Sequence, residues 1–462
     1  MIELSHVKKI HFVGIGGSGM SGIAEVLHNM GFIVSGSDIG ESDTVKRLKS
    51  KGITVYLGHN KENIEGIETL VFSSAVTREN EEVREALNRR IPVIPRAEML
   101  AELMRVKFAV AVAGTHGKTT TTSMIASILT TAKKDPTFVV GGRLRVEDSG
   151  AKLGKSIYLV AEADESDGSF LKLFPTLAII TNIENDHLDH YGTMDNLRQA
   201  FIDFGNKVPF YGSVIVNLEC PETNGIMSQF NKRILTFSRT HEEAFVRAAN
   251  IRDSLFKVSF DLIVENKPAG PIELNVGGAH NVSNALAAIA AAIEIGIDID
   301  TIREGLARFY LPDRRFQVLF YTKDYLVIDD YAHHPTEIKA TLDTLKNGNF
   351  KRIFAIFQPH RYTRLEILMD QFASCFSGID QLIIAPIYSA NQKVMENVNS
   401  SVLVDRIKSF GFDPVMYIDS FEGIIRHLKD VLQPGDAVAF LSAGNLTHTA
   451  HQFALKMEEV AS

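Results

Sequence analysis

The sequence predicts an α/β protein built on parallel sheets and arranged as three successive domains. Short apolar runs, each closed by a glycine or an acidic turn and followed by a stretch of helical period, recur along the chain. That is the pattern of βαβ units. The pattern also restarts twice, at FAVAVAG from Phe108 and at YLVIDDYAHHP from Tyr325.

In the first segment, residues 1–106, the runs IHFVGIGG, FIVSGSD and ETLVFSSA read as strands, and IPVIPRAEML closes it with a short strand flanked by two prolines. The second segment, 107–312, adds SIYLVAEAD, TLAIITNI and GSVIVN to FAVAVAG, and its core is expected to be one large sheet. It ends with a helix from Asn281 and the turn LPDRR. The weakly polar run from Ala285 to Ile297 is shorter than the roughly 20 residues needed to cross a bilayer, so it reads as a buried alanine-rich helix. The third segment, 313–462, holds YLVIDD, RIFAIF, QLIIAPIY and AVAFLSAG.

Composition narrows the function. The chain has 462 residues and a formal net charge of -8, with acidic and basic residues interspersed, so it has no basic footprint for nucleic acid. Its two cysteines, Cys220 and Cys375, stand far apart and outside any CxxC pattern, which argues against a disulfide framework or a thiolate zinc site. The apolar stretch after Lys8 and Lys9 runs directly into glycines, so neither a secretory signal nor a membrane partner is expected and a cytoplasmic setting is.

Four constellations carry chemistry. GIGGSG places Gly14, Gly16 and Gly19 in a GxGxxG between a strand and a helix, with Asp38 after the next strand. Amides there can approach a diphosphate and the acid can take a ribose hydroxyl, but the diphosphate could belong to a dinucleotide or to a UDP-sugar. AVAGTHGKTTTT puts Gly114, Gly117, Lys118 and Thr119 at the end of a strand and the start of a helix. The amides and lysine suit phosphates and the threonine hydroxyl suits magnesium, although Val112 stands where a standard P-loop has its first glycine. Acids and histidines gather at the next strand ends: Glu162, Asp164, Glu165 and Asp167, then Glu184, Asp186, His187, Asp189 and His190. Strand ends line the ligand crevice of an open parallel sheet, where such groups can hold magnesium; the other reading is a solvated loop. A zinc hydrolase is disfavoured because the HExxH spacing is absent.

The fourth is Asn281 and Asn284, three apart on one helix face, which suit a nucleotide or are simply helix caps. The third segment adds Arg314 and Arg315, then Asp329, Asp330, His333 and His334, then Arg361 and Arg364, as donors for phosphate or carboxylate. A nicotinamide-dependent dehydrogenase would use the first glycine loop but would leave Lys118 and the strand-end acids without a task. A nucleotide-gated binding protein would bind ATP without turnover.

The motifs GIGGSGM, AVAGTHGKTTTTSMIA, EADESDGSFL, TNIENDHLDHYG, HNVSNALAA, RRFQ, DDYAHHPTEI and QPHRYTR occur in the order seen in Mur ligases, and the chain resembles that family over essentially its whole length. The resemblance implies an N-terminal Rossmann-like domain, a central P-loop ATPase-type domain and a C-terminal Rossmann-like domain. It implies an ATP-dependent ligase of peptidoglycan precursor synthesis that joins L-alanine to UDP-N-acetylmuramate through an acyl phosphate, with Mg2+. By the same likeness, Gly14, Gly16, Gly17, Ser18, Gly19, Met20 and Asp38 bind the UDP-substrate. Gly114, Thr115, His116, Gly117, Lys118, Thr119, Thr120, Asn281, Asn284, Arg315 and Asp330 bind ATP, and Thr119, Glu162 and His187 hold magnesium. Lys118, Glu162, His187, Arg315 and Asp330 are the expected catalytic set, while Tyr331, His333, Arg361 and Arg364 surround the amino acid. Two features depart from the family pattern: PIYSANQKVMENVNS, from Pro386 to Ser400, lacks the usual glycine-rich stretch, and Ser442 stands where glycine is common. They bear on loop geometry and amino-acid preference more than on ATP chemistry.

Overall fold

The computed structural model describes residues 7–73, 75–144, 149–390 and 392–461. Their strands form three sheets. The first has five strands, β1 (Lys9–Val13), β2 (Ile33–Asp38), β3 (Thr54–Leu57), β4 (Thr69–Phe72) and β5 (Val93–Pro95), in the order β3-β2-β1-β4-β5. All neighbours are parallel. The order reverses beside β1, so the GIGGSG loop that follows β1 opens at the switch point where open α/β sheets take their ligands. Pro95 ends β5 as an edge residue, where a missing N–H costs no ladder bond.

The second sheet has ten strands, as one large sheet was expected: β6 (Phe108–Ala113), β7 (Thr137–Leu144), β8 (Ser149–Lys152), β9 (Tyr158–Glu162), β10 (Leu177–Ile180), β11 (Ser213–Asn217), β12 (Arg233–Ser238), β13 (Val246–Asp253), β14 (Val258–Val264) and β15 (Lys267–Leu274). Their order is β15-β14-β13-β12-β11-β10-β6-β9-β7-β8. Strand β6 is parallel to both neighbours, β9 and β10, and its residues Ala109 to Ala113 are buried, as the unbroken apolar run FAVAVA requires of a strand covered on both faces. The lysine-bearing loop leaves β6 between the ends of β9 and β10, and those ends carry the acidic motifs. The helix Ala279–Glu294 has Ala285 to Ala292 buried, which matches a sequence apolar on all sides.

The third sheet comprises β16 (Gln317–Tyr321), β17 (Tyr325–Asp330), β18 (Arg352–Phe357), β19 (Gln381–Ile384), β20 (Val415–Tyr417) and β21 (Asp436–Leu441), ordered β16-β17-β21-β18-β19-β20. Only the edge pair β16 and β17 is antiparallel. The chain divides into two compact units: residues 1–250, 260–273 and 282–310 form one, and 251–259, 274–281 and 311–462 the other. No described helix is long and apolar enough to cross a membrane.

Candidate active site

The first glycine loop is tied down by its own neighbours. The N–H groups of Gly14 and Ile15 donate to Ser37 O at 2.9 and 3.0 Å, and that of Gly16 donates to Asp38 Oδ2 at 2.8 Å. Gly14 has φ +78°, which favours glycine. Asp38 thus acts as a clasp on the loop, and the amides left to meet an anion are those opening the helix Ser18–Asn29. Gly17 caps that helix with extended backbone, and Met20 is buried in the core. The Ser18 side chain lies outside the described residues.

Behind Ser37 lies a buried polar cluster that the sequence reading did not single out. Glu82 accepts hydrogen bonds from Ser37 Oγ (2.5 Å), Asn63 Nδ2 (2.6 Å) and Asn60 N–H (3.2 Å), and its Oε2 lies 3.6 Å from His11 Nε2. Burial alone would raise its pKa, but His11, Ser37 and Asn63 outweigh it and hold the carboxyl down at about 2.

The second glycine loop is held by residues from the neighbouring strand ends. Gly114 and Gly117 take φ of +127° and +83°. A Cβ at Gly114 would lie 2.9 Å from Asn182 O, and one at Gly117 would overlap Asn284 Oδ1. Both positions therefore need glycine for backbone shape and for room. The Asn182 carboxamide holds the loop in both directions: its Oδ1 accepts from His116 N–H at 2.8 Å and its Nδ2 donates to His116 O at 3.1 Å. Thr115 Oγ1 accepts from Glu184 N–H at 2.9 Å, and His116 Nε2 stands 3.5 Å from Glu184 Oε2.

Lys118 heads the helix Lys118–Thr131. Its Nζ donates to Gly114 O at 2.6 Å, to Thr115 O at 3.2 Å and to Glu165 Oε1 at 2.8 Å. Burial opposes its charge, yet Glu165 and Asp164 outweigh that and raise its pKa. Glu165 is pushed up to about 7, chiefly by burial and secondarily by Asp164, with Lys118 opposing. Its Oε2 is buried without a hydrogen-bond partner among the described residues. His187 Nε2 lies 3.7 Å from Glu165 Oε1 and 3.5 Å from Asp186 Oδ2, on a backbone with φ +60°. A non-glycine residue held there costs about 1–2 kcal/mol, and such strain gathers at functional sites. Glu162 ends β9 and adds its charge to the field on Lys118. Thr119 is half-buried in the first helical turn, whereas Thr120 is buried.

The two asparagines divide. Asn284 Oδ1 packs on Gly117 and accepts from Thr121 Oγ1 at 3.3 Å, so it belongs to the lysine loop. Asn281 Nδ2 donates to Gly277 O at 2.7 Å and secures the start of its own helix.

The candidate residues of the second unit form a cluster of their own at the ends of β17, β18 and β21. Asp330 accepts from Phe316 N–H (2.8 Å), Ala332 N–H (2.9 Å) and Thr341 Oγ1 (3.1 Å), and burial lifts it to about 6 against the pull of Arg315. It fastens the turn that carries Arg314 and Arg315, with φ +60° at Arg314 and +40° at Phe316. Both guanidinium groups lie over the Tyr331 ring, 4.8 and 5.3 Å from its centroid, and Arg315 Nη1 is 3.5 Å from Glu337 Oε1. The rings of Tyr331, His333, His360 and Tyr388 follow one another with centroids 5.2 to 5.6 Å apart. Arg361 sits at φ +66°, and the buried Arg364 places Nη1 3.2 Å from His360 Nδ1. The four residues expected around the amino acid thus share one neighbourhood, with Arg315 and Asp330 beside Tyr331.

Both departures from the family pattern are integrated here. Ser442 Oγ donates to Gln358 Oε1 at 2.8 Å and accepts from Gly444 N–H at 2.7 Å, while Arg314 Nη2 donates to Ser442 O at 2.5 Å. Gln392 exchanges hydrogen bonds with Thr363, between the two arginines, at 2.9 and 3.3 Å. Asn391 of that stretch lies outside the described residues. Sequence reasoning passed over Asn182, Glu337 and Gln358, and named Glu165 only as one acid among several. Asn182 was within reach of the strand-end rule, since it follows β10 by two residues.

Residues 9–108 match the model of the Mur ligase family catalytic domain, 112–292 the Mur ligase middle domain, and 314–444 the Mur ligase glutamate ligase domain. The chain is 47% identical to the UDP-N-acetylmuramate--L-alanine ligase of Geotalea daltonii, over 98% of this chain and 99% of that one. It is also 47% identical to the ligase of the same name from Geobacter sulfurreducens, over 98% of each. Among solved structures, the UDP-N-acetylmuramate-alanine ligase MurC of Thermotoga maritima superposes with a TM-score of 0.83 at 29% identity, covering 98% of this chain and 99% of that one. With all three domain models matched in order and relatives alike from end to end, the chain belongs to the Mur ligase family.

Proposed function

We propose that this chain joins L-alanine to UDP-N-acetylmuramate at the expense of ATP, in the cytoplasm, as a step of peptidoglycan precursor synthesis. The observation that carries the reading is the Lys118 loop: a glycine-shaped phosphate cradle at the end of β6, with a charged lysine and a ring of carboxylates around it. Residues 1–106 are assigned to the UDP-substrate, 107–312 to ATP and 313–462 to the amino acid. Full-length likeness to ligases of that name supports the choice of substrates.

The chemistry follows from the weakness of a carboxylate as an acyl donor. The substrate's carboxylate oxygen attacks the γ-phosphorus of ATP, ADP departs, and the acyl phosphate then yields inorganic phosphate when the amine attacks its carbonyl carbon. Lys118 offsets charge on the phosphates, and the amides from Gly117 to Thr119, at the start of the helix, orient them. Thr119, Glu162 and His187 are the residues that would hold Mg2+. The oxygen-rich set and the unsatisfied Glu165 Oε2 beside it suit a hard cation. When bound, the ion supplies further neutralisation of phosphate charge. In the second unit, Arg361 and Arg364 are assigned to the amino-acid carboxylate, Tyr331 and His333 to its surroundings, and Arg315 and Asp330 to nucleotide.

The test is phosphate release from ATP with UDP-N-acetylmuramate and magnesium, comparing L-alanine, glycine, L-serine and no amino acid, for the wild type and Lys118→Ala. Release should require both substrates, be fastest with L-alanine, and fall by about a hundredfold or more in the variant. Folded wild-type protein that no amino acid stimulates would sink the assignment.

A further inference from the structure

Arg96 opens the helix Arg96–Arg105 directly after β5, and its side chain runs to the start of the helix that follows the first glycine loop. A Cβ built on Gly19 would overlap Arg96 Nη1 and lie 3.1 Å from Cζ and 3.2 Å from Cδ. Gly19 is not among the residues of positive φ, so backbone shape does not call for glycine at this position. Inside a helix, glycine in place of alanine costs about 0.5–1 kcal/mol. The physical reason for tolerating that cost is room: the absence of a side chain lets the guanidinium rest on the first helical turn.

A cation in that position is electrostatically misplaced, because a helix N-terminus is itself positive. Among the described residues Asp164 supplies its one hydrogen bond, Nη2 to Oδ2 at 3.3 Å, and the Asp164 side chain is 41% exposed. A guanidinium carries five N–H donors in a planar fork that matches phosphate oxygens, so most of its capacity is uncommitted. The amides of Gly14, Ile15 and Gly16 already donate within the protein. A diphosphate arriving at this loop therefore has the first-turn amides and the Arg96 fork as its donors.

We propose that Arg96 binds the diphosphate of the UDP-linked substrate, and that Asp164 holds the guanidinium in place until the substrate arrives. The proposal rests on the assignment of Gly14 to Met20 to that substrate. It adds a side-chain ligand from outside the glycine loop, and it gives Gly19 a reason to be glycine that the loop motif alone does not supply. Asp164 belongs to the same acidic segment as Glu165, the partner of Lys118, so the residue that reads the UDP-substrate is one hydrogen bond from the segment that lines the ATP loop.

The test uses the full chain as wild type, Arg96→Gln and Arg96→Lys. Calorimetric titration with UDP-N-acetylmuramate, without ATP, gives the Kd, and steady-state kinetics give KM for that substrate and for ATP separately. Arg96→Gln should raise Kd and KM for the UDP-substrate about tenfold or more while KM for ATP moves less than about threefold, and Arg96→Lys should recover part of the loss as a point charge without the fork. Arg96→Gln binding within about twofold of wild type, or equal changes in both KM values, overturns the proposal. If Arg96→Gln does not fold, the lysine variant decides: wild-type Kd there means that the planar fork is not used and the proposal fails. Wild-type protein that binds no UDP-substrate instead refutes the underlying assignment of the loop, a distinct result because it appears before any variant is made.

Discussion

Glu82 and Glu165 are both buried carboxylates, and their surroundings push them in opposite directions. Glu82 accepts three hydrogen bonds and faces two histidines, whereas Glu165 has one ammonium partner, an acidic neighbour and an oxygen without a partner among the described residues. The folded pKa of Glu82, about 2, lies below its ordinary 4.5, so the stability it contributes is complete above pH 4.5 and is lost as the pH falls toward 2. Replacing Glu82 by Ala should cost on the order of 3 kcal/mol at pH 7 in urea unfolding, because it removes the carboxylate that the buried Ser37 hydroxyl and His11 ring face and that accepts from Asn63 and the Asn60 amide. Glu165 has the opposite sign. Its folded pKa of about 7 exceeds 4.5, so the folded state loses stability as the pH rises from 4.5 through 7. In Glu165→Gln that part of the pH slope should vanish, whatever the change in absolute stability. Unfolding free energies at pH 5, 6, 7 and 8 would check it, and a slope identical to wild type would mean that burial and Asp164 do not raise Glu165 as described.

At the scale of elements, what places most candidate side chains is a loop leaving a parallel strand or, for Arg314 and Arg315, the turn that enters β16, and these segments are fastened by single polar side chains. Asp38 fastens the loop after β1, Asn182 the loop after β6, Asp330 the turn before β16, and Gln358 the loop after β21. Gln358 Oε1 accepts from both Ser442 Oγ and Leu446 N–H, and its Nε2 donates to Asn445 Oδ1 at 2.9 Å and Pro386 O at 3.2 Å. Ser442→Ala should therefore lower stability by about 1–2 kcal/mol in denaturant unfolding, since it strips a buried amide oxygen and the Gly444 N–H of a partner. Because Arg314 bonds to the same loop, the substitution should also raise KM for the amino acid more than KM for ATP. No change in either quantity would mean that the serine simply fills space. These fastenings were hard to read beforehand: each joins residues far apart in sequence, such as Gln358 and Ser442, and a single polar residue carries no periodic signal.

For the whole molecule, the division into two compact units has a thermodynamic consequence. The Lys118 loop lies in the first unit and the arginine cluster in the second, so a ligand confined to one stabilises that one first. The UDP-substrate, assigned to residues of the first unit alone, adds about 2.7 kcal/mol to that unit at about a hundred times its Kd. Scanning calorimetry should resolve two transitions, and UDP-N-acetylmuramate without nucleotide should move one of them more than the other. A single transition that shifts as a whole would mean that the units unfold together.

The sequence by itself determined the α/β class, the three sheets, the strand that precedes each glycine loop and the order of the motifs. These follow from local physics: an apolar run must be buried, and a glycine permits a left-handed turn. Strands such as FAVAVA, YLVIDD and RIFAIF and the buried alanine helix were legible for that reason. What only the tertiary structure decided was which polar group answers which. Asp38 holds a loop amide, Asp330 clasps a turn, Asn281 and Asn284 take different tasks, Glu165 is the carboxylate that meets Lys118, and Arg96 lies on Gly19. The reason is that hydrogen bonds and ion pairs act over a few ångströms in space, and the separation between such partners along this chain, 47 residues for Lys118 and Glu165, is set by the winding of the sheet and not by any pattern in the residues between them.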